Sequence, residues 1–131
     1  MLPQKLKIVQ IIPELNLKIM GGIGKFVETL LCFLDKEKTE NIVVTYKSDP
    51  EDRRYYENLG IPVFSLLENT NLSDKNAIET KKWLVQTLKK IQPDIVTTHG
   101  FWGTTLGVES AYKAGISKKP GHLLSFQALL K

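Results

Sequence analysis

Residues 6–12 read LKIVQII, a run so rich in branched apolar side chains that a strand built from it has to be buried on both faces. Such a strand belongs inside a parallel sheet covered by helices, because a sheet with one wet face alternates apolar and polar residues. The rest of the chain repeats the theme. "NIVVTY" (41–46), "IPVFSL" (61–66), "DIVTTH" (94–99) and "GHLLSF" (121–126) read as further strands. Pro13 is expected to end the first, and Pro62 near the start of the third suits an edge position.

Helical patterns fill the intervals. Phe26, Val27, Leu30, Leu31 and Leu34 recur at helical spacing and predict a helix over roughly 22–36. In "SDPEDRRYYENLG", Asp49 is placed to cap a helix with Pro50 at its first position, Glu51 and Asp52 in its first turn and Gly60 as its stop. A longer helix over about 74–91 is expected to turn Ile78, Leu84, Val85, Leu88 and Ile91 to one side, with Pro93 closing it. A last one spans 104–114, with Gly115 as its C-terminal cap. Strands alternating with helices make βαβ units. The predicted class is α/β, a Rossmann-like doubly wound parallel sheet, and 131 residues allow one such domain.

Composition narrows the partners. A net charge of +4 admits an anionic ligand or a membrane surface but falls short of a nucleic-acid footprint. The pairs Lys81–Lys82, Lys89–Lys90 and Lys118–Lys119 read first as solvated faces and second as a peripheral membrane contact. The lone Cys32 excludes an internal disulfide. No apolar stretch approaches the ~20 residues of a bilayer span. "MLPQKLKIVQIIP" runs straight into a strand pattern rather than a cleavage site, so the expectation is a cytoplasmic protein.

Ligands of open parallel sheets bind beyond the carboxyl ends of the strands. That rule selects the loop from Pro13 to Gly24, the loop from His99 to Thr105 and the tail after the fifth strand. The first carries Gly21, Gly22 and Gly24 just ahead of a predicted helix, where unpaired N–H groups and the helix dipole favour a phosphate. The plainer alternative is a tight strand-to-helix turn. Gly22-x-Gly24-x-x-Val27 falls one residue short of a dinucleotide fingerprint and sits eight residues beyond its strand, which argues against a nicotinamide cofactor.

The second loop carries "HGFWG". His99 reads either as a surface imidazole or, facing the crevice, as a near-neutral partner for a sugar hydroxyl or phosphate. Phe101 and Trp102 read first as buried anchors of the next helix and second as a stacking platform. Lys25, Arg53 and Arg54 are placed to meet phosphate or simply water. Zinc spacing, a G-x-S-x-G elbow and a G-x-x-x-x-G-K-[ST] loop are all missing from the sequence.

The ordered set "KIVQIIPELN…GGIGKFVETLLCFL", "LGIPVFSL" and "IQPDIVTTHGFWGTTLGVESAYKAGI" resembles the N-terminal, acceptor-side domain of the family 4 (group 1) glycosyltransferases, from about Lys5 to Ile116. That resemblance implies the N-terminal half of the two-domain GT-B architecture and transfer of a sugar from a nucleotide donor to an acceptor hydroxyl with retention. It implies no metal and no cofactor beyond the nucleotide-sugar, and a sugar or lipid-linked acceptor. Gly21 and Gly22 match the paired glycines whose amides approach the donor diphosphate, with Gly24 and Asn16 in the same loop. His99 and Gly100, followed by Phe101 and Trp102, match the second half of an H-x-H-G stretch.

Thr97 stands where the first histidine of that stretch is common, and Gln127 stands about where a sugar-contacting histidine is often found. The resemblance therefore implies His99 and Gln127 as the catalytic-side residues. The family's second, nucleotide-binding domain, with two glutamates eight positions apart, has no counterpart in these 131 residues. The expectation is an incomplete enzyme acting with a C-terminal domain or a partner chain. A non-catalytic binding subunit of the same fold and an unrelated Rossmann nucleotide-binding protein are the alternatives.

Overall fold

The computed structural model describes residues 5–16, 29, 31, 33–69, 73–99, 109–110, 112–115 and 123–125. In chain order the elements are β1 (Leu6–Leu15), β2 (Thr39–Ser48), α1 (Pro50–Asn58), β3 (Val63–Leu67), α2 (Ala77–Ile91), β4 (Ile95–Thr98) and β5 (Leu123–Ser125). All five strands are parallel, in the order β3-β2-β1-β4-β5. The most apolar strand thus lies at the centre, as burial on both faces demands.

Each face of β1 has its own core. Val9 and Ile11 pack with Ile42, Val44 and Val96 under Leu84, Leu88 and Ile91 of α2. On the opposite face Ile12 and Leu15 pack with Val43, Val63, Leu31 and Tyr56 of α1. Helical residues cover both sides, which makes the sheet doubly wound. Leu84 and Leu88 have no exposed surface, and each contributes roughly 1.5–3 kcal/mol of burial.

The chain leaves β1 through β2 to the β3 edge, then crosses back through α2 to β4 on the other side of β1. Pro62 precedes the edge strand, where its carbonyl accepts from Val43 N–H at 2.9 Å and its missing donor breaks no ladder.

Beyond strand ends moved by one or two residues, as in β2, which runs Thr39–Ser48 rather than 41–46, three boundaries differ from the sequence reading. Pro13 does not end β1, which continues to Leu15. It stands in a gap of the ladder, with Ile12 paired to Thr45 and Glu14 to Lys47 on either side. Because β4 stops opposite Ile11, no strand among the described residues flanks β1 on that side at Pro13, so its lack of an N–H is tolerated. Ile12 and Leu15, three apart, share a cluster, so the strict alternation of faces shifts across the proline.

The first helical stretch also ends earlier than expected. Thr29, Leu31 and Phe33 are helical, but Lys36–Lys38 form a turn in which the Asp35 carbonyl accepts from both Lys38 and Thr39 N–H groups. Finally, α2 begins at Ala77 rather than 74, because Asn76 supplies the cap: its Oδ1 accepts from Glu79 N–H at 2.8 Å. Ile78, in the first turn, is 78% exposed rather than part of the buried face.

The other helix signals hold where residues are described; of the helix expected over 104–114, residues 104–108 and 111 lie outside the described residues. Asp49 accepts from the Glu51 and Asp52 N–H groups ahead of Pro50. Gly60 follows α1 at φ +83°, a conformation open to glycine and strained for other residues. At the far end of α2, Gln92 takes the left-handed conformation just before Pro93. Replacing the α2 cap, Asn76→Ala, is expected to cost about 1 kcal/mol, read as a lower urea midpoint with an unchanged slope.

Candidate functional site

The order β3-β2-β1-β4-β5 reverses direction between β1 and β4, which are hydrogen-bonded neighbours. The connections leaving these two strands run to opposite sides, and the gap between them is the crevice of an open α/β sheet. Asn16 follows β1 and His99 follows β4 at this point. The His99 backbone N–H donates to the Ile11 carbonyl at 3.0 Å, so the end of β4 is tied to β1 four residues before β1 itself ends at Leu15.

His99 is not a surface imidazole. It is 2% exposed, and its Nε2 lies 2.8 Å from Oε1 of Gln10, itself 1% exposed, in the centre of β1. Gln10 and Thr97 are register partners on adjacent strands. The pleat puts Thr97 and His99, two apart, on one face. The Thr97 hydroxyl donates to the same Gln10 Oε1 and lies 3.3 Å from both the Val9 carbonyl and His99 Nε2. A carbonyl oxygen only accepts, so with Gln10 Oε1 toward the ring it is Nε2 that carries the proton.

Burial lowers the His99 pKa from 6.5 to about 4, because imidazolium loses its hydration there. The ring is therefore neutral at pH 7, which corrects the near-neutral titration expected from sequence. Its chemistry is that of a fixed hydrogen-bonding group rather than an acid or base working near neutrality.

Gln10 escaped the sequence reading. Its signal was present, as the one polar residue inside the apolar stretch 8–12. A buried amide in a central strand requires hydrogen-bonding partners, and here β4 supplies them.

Asn16 is half-buried at the end of β1. Gly21, Gly22, Gly24, Lys25, Gly100, Phe101, Trp102 and Gln127 lie outside the described residues. Extension of β1 to Leu15 leaves six residues, 16–21, before Gly22, instead of the eight that the sequence suggested.

The arginines considered for phosphate binding stand on α1. Arg53 is engaged by Glu57 at 2.9 Å and Glu68 at 3.3 Å, and Arg54 is exposed. Glu51 and Asp52 serve the first turn of α1, as expected. Among the described residues no group of three His, Cys, Asp or Glu side chains is arranged to hold a metal ion. Nor, among them, is any helix long and apolar enough to cross a membrane. Searches against protein-family models, curated proteins and solved structures found no match to this chain.

Proposed function

We propose that the chain is the acceptor-side domain of a retaining glycosyltransferase that takes its sugar from a nucleotide donor and is completed by a second domain or a partner chain. The observation that supports this reading is the pairing of β1 with β4 at the point where the strand order reverses, because the sequence motifs that resemble the family, P-x-L-N with its glycines and H-G-F-W, begin at the ends of those two strands. In this reading the backbone amides around Gly21 and Gly22 approach the donor diphosphate, whose charge the following helix N-terminus stabilises. Neutral, buried His99 serves in this reading through the strand end it fixes with Gln10 and moves no proton. Gly100, Phe101, Trp102 and Gln127 line the sugar side. A basic face against a membrane would bring a lipid-linked acceptor to the same edge.

Ligand-observed NMR on the chain tests this. UDP- and GDP-linked sugars are expected to bind at about millimolar Kd, NAD to give no signal, and Gly22→Val to abolish the nucleotide-sugar signal in a folded chain. Binding of NAD in preference to the nucleotide-sugars would overturn the reading and favour a dinucleotide-binding protein.

A further inference from the structure

The approach to α2 is fastened to the sheet by groups that the proposed function does not use. Residues 73–79 are all exposed, and Thr80 is the first residue of that stretch to be buried. Two side chains near the end of β2 hold it in place of apolar packing. The Tyr46 hydroxyl accepts from the Lys75 N–H at 2.5 Å and donates to the Lys75 carbonyl at 3.2 Å. Next to it, the Lys47 ammonium meets the Asp74 carboxylate at 2.6 Å. The Lys47 side chain is 16% exposed there and that of Asp74 73%.

Ties of this kind break locally. An ion pair with one exposed partner contributes little, and a hydrogen bond that water can replace contributes only modestly. The elements on either side are anchored independently. Val43 and Val44 of β2 and Leu84 and Leu88 of α2 have no exposed surface. Asn76 closes α2 through bonds of its own: Oδ1 accepts from the Glu79 N–H, and its carbonyl accepts from the Thr80 N–H and hydroxyl. Residues 73–75 can therefore leave β2 without opening either element, a local opening of low cost. Lys47 stands one residue before Ser48, which ends β2 in register with Leu15 at the end of β1. Ligands of open parallel sheets bind at that end.

We propose that residues 73–75 are a releasable strap, which lifts from β2 as a unit while the sheet and α2 stay folded. Its release parts Lys47 from Asp74 and uncovers the ammonium at the carboxyl end of the sheet, beside Glu14, the register partner of Lys47 on β1. In the closed state Asp74 occupies that cation and Tyr46 holds the backbone that carries it. The device is independent of the glycosyltransferase reading.

The test is native-state amide hydrogen exchange, followed by NMR on the whole chain. Corrected for intrinsic rates, Lys75 is expected to exchange about a hundredfold faster than Val43 and Leu88, which open only with the core. Tyr46→Phe keeps the ring and removes the hydroxyl; it raises Lys75 exchange about tenfold and leaves Val43 and Leu88 unchanged. Asp74→Asn leaves the Tyr46–Lys75 bonds in place, so an increase of about threefold at Lys75 reads release of the strap as a unit. Limited acetylation, read by mass spectrometry, should modify Lys47 faster in Tyr46→Phe than in the native chain and Lys7 equally in both. Lys75 exchange at the rate of the core amides, a change in Tyr46→Phe shared by all three amides, or Lys75 unmoved by Asp74→Asn overturns the proposal. So does equal acetylation of Lys47 with and without the hydroxyl. Asp74→Asn decides the matter even where Tyr46→Phe does not fold.

Discussion

Between pH 7 and pH 4 the folded chain is expected to lose about 3 kcal/mol of stability through His99 alone. In the unfolded chain the imidazole takes up its proton near pH 6.5, whereas in the folded chain burial holds the pKa near 4. Below 6.5 the unfolded state binds a proton that the native state refuses, so stability falls as pH falls. The contribution is complete above about 6.5 and gone below about 4. The exposed carboxylates of Asp74 and Glu109, held below their ordinary values by hydrogen bonds to Lys47 and Lys81, add acid sensitivity of their own. The control isolates the histidine. Urea unfolding at a series of pH values should give a shallower slope between pH 6.5 and 4 for His99→Gln, whose side-chain amide can still donate to Gln10. A His122→Gln background leaves His99 as the only imidazole. Equal slopes with and without His99 would show that the ring is hydrated.

Such a buried histidine could not be recognised from its neighbours in sequence. The strands themselves were legible because branched apolar runs and proline punctuation act locally. Asp49-Pro50 marked the start of α1 by cap chemistry alone, and the Leu84, Leu88 and Ile91 spacing marked the buried side of α2. Local signals gave way where tertiary contacts decide. Pro13 looked like a strand end, yet the neighbouring β4 stops opposite Ile11 and leaves room for the strand to continue. The helix expected from about 74 starts three residues later, because Asp74 is held by Lys47 at 2.6 Å while Asn76 receives the Glu79 N–H.

The candidate site divides in the same way. Topology, once inferred from alternating elements, selected the carboxyl ends of β1 and β4, and their adjacency follows from the observed strand order. The depth of His99 and the identity of its partner did not follow. Gln10 lies 89 positions away in sequence, so the pair exists only because parallel pairing sets Gln10 beside Thr97. The two strands therefore share more than backbone hydrogen bonds at the crevice: one amide oxygen links a side chain at the centre of β1 to two side chains at the end of β4.

That amide oxygen makes Gln10 a sensitive position beside the crevice. Gln10→Leu preserves the volume but removes the acceptor. The Thr97 hydroxyl can turn to the Val9 carbonyl, 3.3 Å away, and the His99 Nε2–H exchanges its 2.8 Å acceptor for the Thr97 oxygen at 3.3 Å. Losing the shorter bond is expected to cost about 1 kcal/mol, read as a lower urea midpoint at pH 7. The ring is also released from its tautomer, so its ¹⁵N shifts should move away from the pattern of a protonated Nε2. Gln10→Glu separates charge from shape. The carboxylate can still accept from both Nε2–H and the Thr97 hydroxyl, but its charge favours imidazolium. The His99 pKa should therefore rise from about 4 toward or beyond its unfolded value, flattening the loss of stability between pH 6.5 and 4. A substitution that merely disturbed packing would lower stability at every pH and leave the ring nitrogens as they were. Unchanged His99 resonances in both variants would exclude Gln10 as the group that sets the ring's protonation.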